Sequence, residues 1–236
     1  MNSTAKILRL QQSNQVWPLN FAVKSSNDLY LDLNNSRLHV IAKITKADGT
    51  NIYANTAAPI NLTLHSMFRE IGLEFNRQNA GDTSELYPYR SVLESLLNFC
   101  KEVQETRLLS EGSTKNMSGH MNVTAVGGNN AGLNARAATF ARSTLVELIG
   151  RPHLDVFHQE HLIPPNIDLH MKLISSPNDF VCNLAAPAAK SQQKNYKLFI
   201  QSANLIIRTK KLTSTAHKAL MDLLLMQRMV HHLSHV

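Results

Sequence analysis

RLHVIAKIT, residues 37–45, alternates in side-chain character with a period of two. Leu38, Val40, Ala42 and Ile44 fall on one side, His39, Lys43 and Thr45 on the other, and Ile41 is the exception. Successive residues of a strand point to opposite faces, so this segment reads as a strand with one buried face. KADGT (46–50) follows, with an Asp48-Gly49 pair suited to a tight turn that needs positive φ. NIYA (51–54) then reads as the returning strand of a hairpin.

The same signature recurs on both sides of this hairpin. Upstream, LNFAVK (19–24) and LYLDL (29–33) are short strand candidates joined by the polar turn SSND; downstream, NLTLHSMF (61–68) and IGLEFN (71–76) are two more. In NIDLHMKLI (166–174), Ile167, Leu169, Met171 and Leu173 alternate with Asp168, His170 and Lys172. That register predicts that Leu169→Asp unfolds the domain while Asp168→Ala is nearly silent. SSPND (175–179) turns the chain into FVCNLA (180–185). YKLFIQSANLIIRTKKL (196–212) reads as one long strand with an irregularity near Ser202-Ala203, as a bulge would give. Short strands between turn clusters point to an all-β class, a sandwich or jelly roll, and not to a parallel α/β sheet.

Two segments depart from this. In ELYPYRSVLESLLNFCKEV (85–103), Tyr89, Val92, Leu93, Leu96, Leu97 and Cys100 trace one face of a helix, and Arg90, Glu94, Asn98 and Lys101 take the other. Pro88 suits its first turn, and Ser91 with Glu94 offers a competing capping box. In the C-terminal STAHKALMDLLLMQRMVHHLSHV (214–236), Ala216, Leu220, Leu223, Met226, Val230 and Leu233 form a second helical stripe. Both stripes are expected to pack on a sheet. A Gly-, Asn- and Ser-rich stretch within residues 104–136 reads as a long loop, mobile or held by a partner.

Composition narrows the function. The 236 residues carry a formal charge of +7, but the 24 Lys and Arg are scattered and the longest basic runs are pairs such as Lys210-Lys211. Nucleic-acid binders concentrate such charge on one stripe with aromatics interleaved, so no specific nucleic-acid partner is expected. The two cysteines, Cys100 and Cys182, make no disulfide framework and point to a reducing compartment. The start, MNSTAKILRLQQ, lacks the apolar core of a signal peptide, and LMDLLLM (220–226) is too short to cross a bilayer. An intracellular protein without membrane contact is expected, in which the Asn-x-Ser/Thr triplets at Asn2, Asn34, Asn61, Asn116 and Asn122 are chance.

The chain carries no recognised catalytic motif. VGGNNAGLNAR (126–136) lacks the Lys-Ser/Thr of a P-loop and the GxGxxG spacing of a dinucleotide fold, and reads as a flexible turn. No GxSxG elbow occurs, neither cysteine has the surroundings of an activated thiolate, and Glu85, Glu94 and Asp155 form no pair visible in sequence. His153, Asp155, His158 and His161 lie close together, and His231 and His235 are one helical turn apart. Imidazoles with a carboxylate can bind zinc, yet the Glu that HExxH places after its first His is missing, so polar surface histidines are the preferred reading. No enzyme is expected, and no catalytic, cofactor or metal residue is assigned.

LYLDLNNSRLHVIAKITKADGTNI, APINLTLHSMFREIGLEFN, YPYRSVLESLLNF, HLDVFHQEHLIPPNIDLHMKLI and ANLIIRTKKL, in that order across most of residues 17–230, resemble the N-terminal part of the major capsid protein of Polinton (Maverick) elements and the related adintoviruses. The resemblance implies a vertical double jelly roll whose trimers form pseudo-hexagonal capsomers in a virion, with other capsid proteins as partners. It also implies that the helix near residue 90 and the Gly/Asn stretch are insertions between strands. On this reading residues 1–212 are a single jelly-roll domain, and residues 213–236 are a helix leading toward a second jelly roll that the chain lacks. The expected function is structural: a capsid-like protein of a virus-derived transposable element that self-associates through exposed apolar surface. Two other classes compete. One is a β-sandwich binding module for a carbohydrate or peptide, with residues 110–136 as its recognition surface, although the sole tryptophan, Trp17, lies elsewhere. The other is a metal-dependent enzyme using the histidines around residue 158.

Overall fold

A computed structural model describes residues 5–13, 17–24, 26–53, 56–82, 85–184, 196–220 and 222–223; within 5–13 only the backbone pairing is described. Its strands are β1 (Ala5–Ser13), β2 (Leu19–Val23), β3 (Leu29–Lys46), β4 (Ala57–Pro59), β5 (Phe68–Phe75), β6 (Gln78–Asp82), β7 (Val146–Gly150), β8 (Leu169–Ser175), β9 (Cys182–Leu184) and β10 (Tyr196–Lys211). They build two four-stranded antiparallel sheets, ordered β1-β10-β3-β7 and β2-β8-β5-β6, and a small β4-β9 pair. The protein is mostly β with antiparallel sheets, compatible with the all-β sandwich class. The pairing is nested in chain order: β1 bonds to β10, β2 to β8, β3 to β7 and β5 to β6.

Alternation sets the inner faces. Leu38, Val40, Ala42 and Ile44 of β3 are all fully buried, as are Leu169 and Leu173 of β8 with Met171 between them. Together with Phe21 of β2, Phe68, Ile71 and Leu73 of β5, and Leu205 and Ile207 of β10, they form one apolar cluster that both sheets share. Side chains opposite in sense to these, such as His170 and Lys172, are exposed.

Several elements differ from the local reading, each for a visible reason. The two strands expected at 29–33 and 37–45 are a single strand, because the polar link between them is absorbed as a bulge. Ile206 pairs with Arg37 and Arg208 with Asp32, leaving residues 33–36 opposite one residue of β10. Ser36 Oγ donates to the Asp32 carbonyl and accepts from the Arg208 N–H, while the Asn35 N–H donates to the Asp32 carboxylate. Burial raises the Asp32 pKa, but the Lys210 ammonium and Asn35 outweigh it and hold the carboxyl below its usual range. The irregularity expected near Ser202 is present, as a register shift between Ile200 and Ser202.

The turn after β3 forms as expected, with Gly49 at φ 90° and the Thr50 N–H on Asp48 Oδ1. Its return arm makes one bridge, Thr45 to Asn51, and is then diverted when the Ile52 N–H finds Ser143 Oγ. The strand expected at 61–68 is interrupted by a helical turn, α1 (Thr63–Ser66), entered through Leu62 at φ 56°. Likewise 178–181 is a helical turn before β9.

The helix expected near residue 90 is present, α2 (Tyr87–Asn98), with Pro88 in its first turn. Its orientation overturns the expected packing. The buried residues are Tyr87, Pro88, Ser91 and Ser95, while Leu93, Leu96 and Leu97 are 58%, 63% and 81% exposed. Ser91 does not cap; its hydroxyl donates to the Pro88 carbonyl. The C-terminal stripe also faces outward where it is described: residues 214–220 are helical, Ala216, Leu220 and Leu223 are exposed, and His217 meets the Tyr30 hydroxyl at 2.9 Å. Met226, Val230, Leu233, His231 and His235 lie outside the described residues.

The segment read as a loop within 104–136 is organised. After α2 come α3 (Lys101–Glu105) and a 3-10 turn (Arg107–Glu111), and VGGNNAGLNAR leads into α4 (Ala131–Thr139), capped by Asn130. Arg136 pins this insertion, donating to the carbonyls of Pro59 and Thr114 and to the side chains of Thr114, Asn61 and Asn116. It is therefore an ordered cap over the β4 edge and not a flexible turn.

Candidate functional site

The residues with chemistry in them converge beneath α2. His65 comes from α1, Tyr87 from the start of α2, Glu111 from the end of the 3-10 turn, and His153 from the segment after β7; each is at most 2% exposed. His65 is placed by the left-handed Leu62, which turns the chain inward where a strand would have continued. Glu111 is placed by a turn tied to β7 through the bond from Ser110 Oγ to the Ile149 carbonyl.

The contacts form two linked groups. His65 Nδ1 meets the Tyr87 hydroxyl at 2.7 Å and His65 Nε2 meets Glu111 Oε2 at 3.1 Å. The Tyr87 oxygen also accepts the His153 backbone N–H at 3.2 Å. His153 Nδ1 lies 2.7 Å from Glu94 Oε2, and its ring stands edge-on to His65 with centroids 4.5 Å apart. Arg90 donates to Glu94 Oε1 at 2.7 Å and pairs with Asp155, while His158 Nε2 approaches Glu94 at 3.7 Å.

Electrostatics decide which members are charged. Burial works against ionisation of Glu94, but hydrogen bonds from His153 and Arg90 prevail and hold it at about 2. Glu111 is likewise below its usual range, burial being outweighed by His65. Burial, and next the neighbouring His65, push His153 down; burial and Arg151 push His158 down to about 4. Burial drives the Tyr87 phenol upward. At neutral pH the cluster thus holds two carboxylates facing neutral His153 and His158, with lone pairs available on nitrogen.

Gly150 makes room for this packing. It pairs with Leu38, and a Cβ there would lie 2.7 Å from both Glu111 Cγ and Leu64 Cδ2. Since Leu64 and Glu111 are buried, Gly150→Ala is expected to cost about 2 kcal/mol by overpacking, read as a fall of roughly 4–8 °C in Tm. An unchanged Tm would mean that Glu111 is free to swing away.

Local reading found only part of this. Of the four residues grouped near 158, His153 and His158 do come together, but His153 is buried and not on the surface as expected. Asp155 is exposed and serves Arg90, and His161 is exposed. Glu94 joins the cluster, whereas Glu85 pairs with Arg69 on the surface. His65, Tyr87 and Glu111 were missed; the one signal was His65, a polar residue in the stretch LTLHSMF, and the sequence around Tyr87 and Glu111 carried none. The cysteines take no part: Cys100 is exposed at the break after α2, and burial pushes the Cys182 thiol up to about 12. Among the described residues no helix is long and apolar enough to cross a membrane. No protein-family model matches the chain, and none of the curated proteins matches it.

Proposed function

We propose that the chain is a capsid-type structural subunit, a jelly roll whose role is to build a shell by association with copies of itself and with other capsid proteins. The observation that carries this reading is the nested strand pairing. Taking the eight strands of the two main sheets in order, first bonds to last, second to seventh, third to sixth and fourth to fifth. A long hairpin wrapped around a core produces this order, which is the construction of a jelly roll. It agrees with the resemblance to Polinton and adintovirus capsid proteins, and on that reading the product belongs in a virion and assembles as trimers.

The surface suited to self-association is the outer face of α2. Tyr89, Leu93, Leu96 and Leu97 stand exposed there, with Leu109, Met117 and Met121 exposed on the insertion after it. A contiguous apolar face on an element whose other side is pinned by polar contacts marks an interaction surface. Light scattering of the purified chain is expected to give trimers or larger species. Leu93→Lys with Leu97→Lys should reduce the mass to that of a monomer that still unfolds cooperatively, because exposed residues add little to the fold of the single chain and only the contribution of association is lost. Unchanged association in that double variant would move the contact elsewhere.

A second reading has one observation in its favour. Between α2 and the insertion runs a groove of about 520 Å³, lined by Val92, Leu96, Leu108, Leu109 and Met121. Its aliphatic lining suits an apolar peptide better than a sugar, which stacks on aromatic faces. A strictly monomeric wild-type protein would bring this binding-module reading forward.

A further inference from the structure

We propose that His65, Glu111 and His153 bind a single zinc ion that ties three separate loops of the sandwich together. Their ligand atoms all lie within 4.8 Å of one another, and all three residues are buried. The His65 Nε2 to Glu111 Oε2 distance of 3.1 Å is close to the edge of a zinc tetrahedron, about 3.3 Å for bonds near 2 Å. Bringing in the remaining atom takes a side-chain adjustment of about 1.5 Å at most.

The surroundings favour coordination. A ligating histidine is held by a partner on its other nitrogen, which fixes ring orientation and tautomer. Both histidines have such a partner: Tyr87 Oη on His65 Nδ1 at 2.7 Å and Glu94 Oε2 on His153 Nδ1 at 2.7 Å. Each Nδ1 can then carry the proton, leaving both Nε2 lone pairs for the metal. Glu111 as ligand and Glu94 behind His153 supply negative charge opposite a dication in a buried place, with the Arg90 guanidinium on Glu94 balanced in turn by Asp155. Two imidazoles and one carboxylate suit zinc by ligand type, and a water completes four-coordination. Burial closes the site to substrate, so the role is structural. The ion would join α1, the turn ending at Glu111 and the segment after β7, and through Tyr87 and Glu94 it would steady α2.

The test is elemental analysis of the wild-type protein dialysed against zinc, together with visible absorption after cobalt(II) substitution. The expected result is about one zinc per chain and the intense d–d bands of tetrahedral cobalt. Chelation should lower Tm by at least about 5 °C. Glu111→Gln and His153→Gln, near in shape, should lose the metal, and Lys172→Ala should keep it. A metal-free protein with no cobalt bands and a chelator-insensitive Tm would overturn the proposal and leave a hydrogen-bonded network alone. The wild-type measurements decide even if the cluster variants fail to fold, and they are independent of whether the chain assembles.

Discussion

Leu169→Asp is expected to leave no folded protein. Leu169 is fully buried in the shared core, at the middle strand pairing of its sheet, opposite Val23 of β2 on one side and Phe75 of β5 on the other. The substitution forfeits about 2–3 kcal/mol of apolar burial and places a carboxylate where no donor faces it, a further cost of several kcal/mol. Stability of a domain this size is about 5–15 kcal/mol, so most or all of it is lost. Circular dichroism should show a chain without a cooperative transition. The outer-face control is Lys172→Ala, three residues on and exposed, which should stay within about 0.5 kcal/mol of wild type. Asp168 serves less well as that control, because it is half-buried. Similar behaviour of the Leu169 and Lys172 variants would refute the register of β8.

Arg136→Ala is expected to cost about 3 kcal/mol or more. The side chain is 4% exposed, and its five hydrogen bonds run to neutral acceptors on residues 59, 61, 114 and 116. Burial alone pushes its pKa down, to about 10, and the guanidinium remains charged at neutral pH. Truncation leaves the buried carbonyl of Pro59 without this donor, at a cost of about 1–3 kcal/mol, takes a donor from the part-buried Thr114 carbonyl, and opens a cavity under α4. Arg136→Lys should recover only part of the loss, since one ammonium cannot reproduce a planar fork reaching both sides of the insertion. Urea denaturation measures both. An alanine variant within 1 kcal/mol of wild type, by the same approximate scale, would mean that the insertion is held by its apolar contacts instead.

The two variants probe different levels of the structure. Leu169 tests a rule local to a strand, and its inward direction follows from residues 166–174 alone. Arg136 tests an arrangement that no local rule contains, because its acceptors come from two other parts of the chain and are brought to it by β4 and the turn after Glu111. The contrast explains why a stretch read as a flexible turn became a capped helix on a pinned insertion: glycine and asparagine mark a change of direction, and say nothing about what will dock there.

The cluster of His65, Glu111 and His153 was beyond reach for the same reason. Metal motifs are legible when the ligands sit on one helix or one hairpin, where a fixed spacing guarantees convergence. Here one ligand precedes α2, one follows it and the third lies beyond α4, so only folding defines their separation. His153 was visible as a histidine in a polar neighbourhood, but its burial was not, since burial comes from α2 lying over it.

By itself the sequence determined the inner faces of β3 and β8, the extent of β10 with the shift near Ser202, the turn at Asp48-Gly49 and the existence of α2. Each is a short-range consequence of period, turn chemistry or propensity. Only the tertiary structure decided that Leu29–Lys46 is one bulged strand, that residues 61–68 turn inward, and that α2 presents its leucines to solvent. The last outcome follows from the cost of leaving buried polar groups unpaired. Tyr87 satisfies His65 and the His153 backbone, and Glu94 satisfies the His153 ring, so the face that carries these contacts is turned inward. The apolar stripe, however regular, is left on the outside.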